Sequence, residues 1–292
     1  DPGMYPKRLM IDEARQLGVG LAPLDINYSG EQYTVERDEK GGDHVRIALT
    51  SVSGISDKEV TSIIAGRPYI DLSDFYRRSG ASHPVIETLI LTGALDRVHS
   101  LNDGAINHRD LLLHLSDLTR SPVATVAGSQ MVFGFAPPDL AASGLPPMGA
   151  AEKVRNEVER LGMDITHHML EFYAPFLNAI GAVKSSNLLS LRSQSEVLVA
   201  GIKVAMQTPP VRSGRRVIFL TLDDGYGCTD STFFSGAQEG FASTLYGSSI
   251  LLVRGKTRRT GDRGISINAS GAWDLRQAYE KWSRKLLETA AK

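Results

Sequence analysis

The chain has 292 residues, 42% apolar and 22% charged, with 32 basic against 33 acidic residues and a formal net charge of -1. That length suits about two ordinary domains, and the even charge balance excludes a polyanion binder that works through overall charge, so any nucleic-acid surface is a local patch. A single cysteine, Cys228, excludes an internal disulfide or a cysteine-rich zinc site and fits a reducing, cytoplasmic setting, and no run of about 20 apolar residues is present to span a membrane.

The first residues, Asp1-Pro2-Gly3-Met4-Tyr5-Pro6, lack the charged head and apolar run of a secretory signal and read as a cut end. Residues 4–20 predict a short amphipathic helix, with Leu9, Met10, Ala14 and Leu17 at helical spacing and Gly18 as its stop. Residues 21–50 predict strand and turn: Leu24-Asp25-Ile26-Asn27, a charged loop over 36–44, then His44-Val45-Arg46-Ile47-Ala48-Leu49 with alternating polarity. Residues 51–118 predict a helical block. One helix carries Val60, Ile63 and Ile64. Leu72, Phe75 and Tyr76 mark a second unit, and His83-Pro84 opens a helix that runs through Ile86, Leu89, Ile90 and Leu91 to Gly93.

Residues 119–150 hold Pro122, Pro137, Pro138, Pro146 and Pro147 and almost no charge, the composition of a linker. Residues 151–194 predict connecting helices, one of them the charged amphipathic stretch Glu152–Leu161. Residues 195–273 predict five short strands with one helical segment, and 274–292 a polar, weakly amphipathic helix that frays. The fold class is therefore α+β and multidomain, a helical domain followed by a five-stranded barrel.

That last layout is the oligonucleotide/oligosaccharide-binding (OB) barrel, whose first and fourth inter-strand loops grip ligands. The strands fall at about 196–204, 216–222, 228–234, 249–257 and 264–270. Arg212, Arg215 and Arg216 flank the first of those loops; Lys256, Arg258, Arg259 and Arg263 flank the other. Basic residues at both loops suit a single strand's phosphates. Phe219, Tyr226, Phe233 and Phe234 are candidate stacking platforms. Neighbours on a strand face opposite ways, so Phe219 and one of Phe233 and Phe234 are equally candidates for the core.

Ser53-Gly54-Ile55-Ser56, followed by Lys58, has the form of a helix-hairpin-helix turn, in which a tight glycine turn aims a helix N-terminus at phosphate. The second glycine of that motif is replaced by Ser56, which equally reads as an ordinary N-cap. Leu91-Thr92-Gly93-Ala94-Leu95-Asp96 is a weaker second copy. In the linker, Gln130-Met131-Val132-Phe133-Gly134-Phe135 suits docking into a partner's groove or packing back on its own domain. His167-His168 has no cysteine or carboxylate at metal-ligand spacing, Asp223-Asp224 reads as turn chemistry, and no phosphate-cradling glycine loop or nucleophile elbow is present. No catalytic residue and no metal ligand is therefore assigned.

Taken in order, these segments resemble the C-terminal portion of bacterial C-family DNA polymerases of the polymerase III alpha-subunit type, nearest the error-prone branch. Tyr5–Val19 and Leu24–Ser29 resemble the end of the fingers domain, Val45–Asp96 the tandem helix-hairpin-helix region, and Val197–Trp273 the barrel, including Thr208-Pro209-Pro210 and Phe219–Asp224. The resemblance implies domains at 1–50, 51–118, 151–194, 195–273 and 274–292 around the 119–150 linker. It implies DNA handling in damage-induced translesion synthesis, with duplex at the hairpins and single strand at the barrel. The palm domain, whose aspartates hold two magnesium ions, has no counterpart in these residues, so this chain is expected to be non-catalytic alone and to need no cofactor. In the replicative branch a clamp-binding peptide occupies the place of Gln130–Phe135. In the error-prone branch accessory mutasome proteins stand between polymerase and sliding clamp. The alternative is a pure protein-interaction module. The upstream hairpins argue against a third reading, an RNA-binding barrel of the tRNA-synthetase type.

Overall fold

A computed structural model describes residues 7–37, 41–101, 104–120, 139–209, 217–238, 240–261 and 264–290. Contacts divide the chain into two units, residues 18–167 and residues 168–292 together with 1–17. Helix α1 (Lys7–Gln16) thus belongs with the C-terminal unit.

The 18–167 unit begins with a small sheet. Strands β1 (Gly20–Ala22), β2 (Thr34–Arg37) and β3 (Asp43–Arg46) lie in the order β1-β3-β2, with β1 parallel and β2 antiparallel to β3. The expected strand at Leu24–Asn27 is instead a buried turn. Asp25 accepts the Asn27 N–H on its carboxylate at 2.7 Å and the Ser29 N–H on its carbonyl at 2.9 Å. An Asx turn of this kind outcompetes a ladder. The Leu24/Ile26 alternation reflects burial on the turn's inner side, not a sheet face.

Helices α2 (Asp57–Ala65), α3 (Leu72–Arg78), α4 (His83–Leu91), α5 (His108–Arg120) and α6 (Ala150–Leu161) follow. Their apolar faces converge on Ile63, Leu72, Phe75, Ile86, Leu89, Ile90 and Leu95, all without solvent exposure. Each such side chain stabilises by about 1.5–3 kcal/mol. Helix α6 is fastened into this unit by Glu157, whose carboxylate accepts the N–H groups of Ile165 and Thr166, and by the Arg160 carbonyl, which accepts the Ser53 N–H at 2.8 Å.

In the other unit a 3-10 turn at Met169–Tyr173 and short helices α7 (Ala174–Ala179) and α8 (Ser185–Leu188) lead into strand β4 (Glu196–Gln207). Strands β5 (Ile218–Asp223) and β6 (Cys228–Phe233), helices α9 (Ser235–Gln238) and α10 (Ala242–Gly247), strands β7 (Ile250–Thr260) and β8 (Gly264–Asp274) and helix α11 (Leu275–Ala290) complete it. The five strands close as β4-β5-β6-β8-β7, with β6 parallel to β8 and the other pairs antiparallel.

Val197, Val199, Leu220, Leu222, Phe233, Leu251, Val253 and Ile267 fill the barrel. A bulge at Arg254/Gly255 needs glycine, because a Cβ on Gly255 would stand 2.3 Å from the Asn268 carbonyl oxygen. A second cluster joins Phe176, Ile202, Leu252 and Leu275 outside the barrel. The expected frayed tail is instead anchored: Tyr173 meets Tyr279 edge to face at 5.1 Å, and Phe176 meets Trp282 at 5.3 Å. Leu275, Ala278, Tyr279 and Trp282 form a helical stripe, and aromatics there outweigh the polar composition of the rest.

Candidate nucleic-acid interface

The first hairpin is a glycine turn leading into a helix. Gly54 takes φ +80°, a Cβ there would meet nothing within 4 Å, and Ser53, Ser56 and Lys58 are exposed while Ile55 is half-buried. Ser56 is the N-cap of α2 in a full capping box: its hydroxyl accepts the Glu59 N–H, and Glu59 accepts the Ser56 N–H at 2.9 Å. The other Glu59 oxygen accepts the Ser82 N–H at 2.9 Å. Burial pushes the Glu59 pKa up, but the bonds from Ser82 and Ser56 outweigh it and hold the group at about 2. The Ser53 N–H is spent on Arg160 and the Ile55 N–H on Val52. A carboxylate of this chain therefore sits at the helix end where a phosphate would come.

At the second copy Gly93 takes φ +81°, and a Cβ there would lie 3.1 Å from the Asp96 carboxylate. Asp96 in turn lies 2.7 Å from His108 and 3.8 Å from the Lys153 ammonium. A cavity of about 570 Å³ opens beside Gly93, with Arg46, Arg97 and Lys153 among its walls. Arg46 is committed to Glu36 through two bonds of 2.9 and 2.6 Å, which hold the Glu36 carboxyl below its usual range. The Arg97 guanidinium lies 4.3 Å from the centre of the Tyr28 ring.

On the barrel the aromatics sort by side. Phe219 points outward and is 46% exposed, and Phe234 and Tyr226 are exposed as well. Phe233 is fully buried in the barrel core, so it cannot stack on a base; its partner on β5 is Ile218, also buried. One face of Tyr226 is covered by the Lys184 ammonium, 3.9 Å from the ring centre, a contact no local pattern signals. Beside Phe219 the outer face of β5 and β6 carries Thr221, Cys228, Asp230 and Thr232, with Thr221 donating to Asp230 at 2.7 Å.

Lys256 and Arg258 are exposed on β7. Arg259, expected to grip DNA, is instead turned onto the chain itself: its guanidinium donates to the carbonyls of Leu189 and Leu191. Those carbonyls close the end of α8 and the turn after it, and cations are favoured at such ends. Arg212, Arg215, Arg216 and Arg263, and Gln130, Met131, Val132, Phe133 and Phe135, lie outside the described residues.

Folding also joins groups far apart in sequence. Ligand atoms of Asp12, His168 and Asp223 lie within 4.8 Å of one another, all buried, although His168 has no carboxylate at ligand spacing in the sequence. Positive charge there comes from Arg8, whose guanidinium lies 3.6 Å from Asp223, 3.8 Å from Asp12 and 3.2 Å from His168 Nε2, and from Arg15, which donates to Asp12 at 2.9 Å. His168 Nδ1 accepts the Leu170 N–H, which leaves Nε2 to carry the proton in the neutral ring. An arginine in place and a protonated Nε2 do not suit magnesium, which takes oxygen ligands. The group is a buried ion network that fastens α1 to the barrel. Burial raises the Asp223 pKa, but the His168 side chain and the Gly225 N–H prevail and keep it below the usual value. Asp224 works as a turn clamp, accepting from the Ser185 N–H and hydroxyl and from the N–H groups of Tyr226 and Gly227.

Comparison with known proteins agrees with this architecture. Residues 18–103 match the family model described as a helix-hairpin-helix motif, and residues 197–275 that of an OB-fold nucleic acid binding domain. Together they define a nucleic-acid-handling protein, with a hairpin region followed by a five-stranded barrel. The chain is 30% identical to an error-prone DNA polymerase of Symbiobacterium thermophilum, over 91% of this chain and 28% of that polymerase. It is 27% identical to one of Bdellovibrio bacteriovorus over 89% and 25%. It is 28% identical to the DNA polymerase III subunit alpha of Vibrio cholerae over 95% and 24%. The chain is thus similar over about nine-tenths of its length to bacterial error-prone DNA polymerases and polymerase III alpha subunits, and spans about a quarter of the length of these relatives. Among the described residues no helix is long and apolar enough to cross a membrane.

Proposed function

We propose that this chain is the DNA-handling segment of an error-prone C-family polymerase that works in translesion synthesis. The hairpin unit holds duplex and the barrel holds single-stranded template. The observation that carries this is the succession, in one chain, of a glycine-turn hairpin region and a closed OB barrel, in a sequence related over nine-tenths of its length to error-prone polymerases. Because Glu59 and neighbouring bonds occupy the N–H groups around Ser56, duplex contact at the first hairpin falls to the exposed Lys58 and the Gly54 turn. Phosphate contact of this kind fixes position without reading sequence.

The polymerase chemistry, with its magnesium ions, belongs to other parts of such a polymerase. DNA binding by this chain is accordingly independent of magnesium. Accessory mutasome proteins, or a sliding clamp, would dock through the 130–135 segment.

The test is a titration of labelled single-stranded and duplex oligonucleotides at two salt concentrations, with and without a chelator. Binding of both forms that weakens with salt and ignores the chelator is expected. No binding of either form at low salt would refute the reading and favour the protein-interaction module.

A further inference from the structure

The side chains that point out of the barrel differ sharply between its two sheets. The outer face of β5 and β6, the usual ligand face of this fold, carries Phe219, Thr221, Cys228, Asp230 and Thr232. Its described strand residues therefore bring two negative charges, Asp230 and the covered Asp223, and no positive one.

Strand β7 is the reverse. Leu251, Val253, Gly255 and Thr257 point inward and are buried, so Arg254, Lys256 and Arg258 point outward, and all three are exposed. Alternate residues on a strand are about 7 Å apart, close to the spacing of successive phosphates along an extended nucleic-acid strand. Across the ladder Lys256 faces Asn268 and Arg258 faces Ser266, neutral groups that hydrogen-bond without repelling phosphate. Among the described residues the acidic neighbour is Glu196, opposite Lys256 and 3.4 Å from Arg254; both partners of that pair are more than half exposed. A pair so exposed is weak and readily exchanged for a phosphate.

An aromatic side chain completes the row. Trp273 is 43% exposed, and its ring lies over Gly271, the cross-strand partner of Arg254. A Cβ on Gly271 would stand 2.7 Å from that ring, so the glycine makes room for it. Phe241 braces the indole edge to face at 5.8 Å. A braced, half-open indole at the end of a row of cations is the pairing that single-strand binders use.

We infer that single-stranded nucleic acid runs along β7 on the outer face of β4, β7 and β8, with Arg254, Lys256 and Arg258 on successive phosphates and a base stacked on Trp273. This rests on the DNA-handling reading above and moves the strand away from the Phe219 face. The occupant is a polyanion because the row is positive, and single-stranded because a free base must reach the indole.

The test uses the whole chain and a fluorescein-labelled oligo(dT). Replacing Arg254, Lys256 and Arg258 together by Gln lowers the logarithmic salt slope by about 2, at about 0.7 per phosphate. Restoring Lys at 254 and 258 recovers most of it. The chain has two tryptophans, and Trp282 is packed against Phe176 and Tyr279. Oligo(dT) therefore quenches emission of the wild type but not of Trp273→Phe, and Trp273→Ala weakens binding by about 5- to 100-fold. Phe219→Ala leaves the affinity unchanged.

Wild-type binding with an unchanged slope in the triple variant, or loss on Phe219→Ala instead, overturns the inference and leaves the broader reading standing. Absence of any oligo(dT) binding by the wild type overturns both. If an oligoglutamate peptide of matched charge binds as well as oligo(dT) and is lost equally in the triple variant, the row serves an acidic protein partner and the inference also fails.

Discussion

Glu59→Gln tests whether a carboxylate of the chain itself seals the first hairpin. In the wild type one oxygen takes both the N–H and the hydroxyl of Ser56, and the other takes the Ser82 N–H. The amide keeps one acceptor oxygen and brings an NH2 group against a donor, so at least one N–H loses its partner. The folded pKa of about 2 against an ordinary 4.5 would correspond to roughly 3 kcal/mol at full strength. Solvent screening of a half-buried group reduces that to about 1–2 kcal/mol, in line with the loss of a cap.

The sign follows from linkage. A depressed carboxylate contributes stability above its unfolded pKa, and loses it as pH falls from about 4.5 toward 2. Urea denaturation of both proteins between pH 3 and 7 should therefore show a gap of about 1–2 kcal/mol at pH 7 that narrows below pH 4.5. Duplex affinity should rise in the variant, since a negative charge has left the helix N-terminus. A gap that is constant with pH, or duplex binding that falls in a folded variant, would refute the account of Glu59 as an internal stand-in for phosphate.

Phe233→Ala should cost the barrel about 3–5 kcal/mol, while Phe219→Ala should change urea stability by less than about 0.5 kcal/mol; equal losses would mean that Phe219 is packed inside. Asp224→Ala removes the acceptor of four hydrogen bonds from Ser185, Tyr226 and Gly227 and should cost about 2 kcal/mol or more, measured by thermal unfolding; a change under about 0.5 kcal/mol contradicts the clamp. Gly225→Ala places a Cβ 2.8 Å from His168 Cγ at φ +81°, so its melting temperature should fall by several degrees, and an unchanged value would show that the turn relaxes freely. Asp223 titrates below its ordinary 3.8, so it contributes stability above that pH which is lost in more acid solution. Asp223→Asn should flatten that part of the acid-unfolding curve, and an identical acid midpoint would exclude the ion network as its source.

The barrel was legible because its interior is read by alternation. Ile218, Leu220 and Leu222 announce one strand, and the observed ends of β5 lie within two residues of those expected. Strand β6 hides its phase: it buries Thr229 and Ser231 along with Phe233, so polar residues stand where apolar ones would mark the inside, and Phe233 and Phe234 could not be told apart. Ser56 was legible as an N-cap, yet the consequence that Glu59 fills the hairpin depends on where Ser82 comes to lie. Arg259 misled because a lone loop arginine carries no sign of the carbonyls it will cap. The meeting of Arg8, Asp12, His168 and Asp223 is written nowhere in local spacing, since closure of the chain alone brings them together. The row on β7 was half visible: Lys256 and Arg258 stood out as loop cations, whereas Arg254 and Trp273 join them only once the register is known.

The ion network also sets an order of assembly. Asp12 must wait for Asp223, so α1 is synthesised long before the strands that receive it, and the whole of residues 18–167 emerges in between. The intervening unit buries its own core from contiguous chain, and it can finish folding on the ribosome while α1 still has no seat. The barrel, by contrast, closes only when β8 pairs with β6 and β7, after all of residues 18–167 has emerged. Contacts of such wide sequence separation form late and slowly. Until then Asp12 lacks the His168 and Asp223 that it meets in the folded unit.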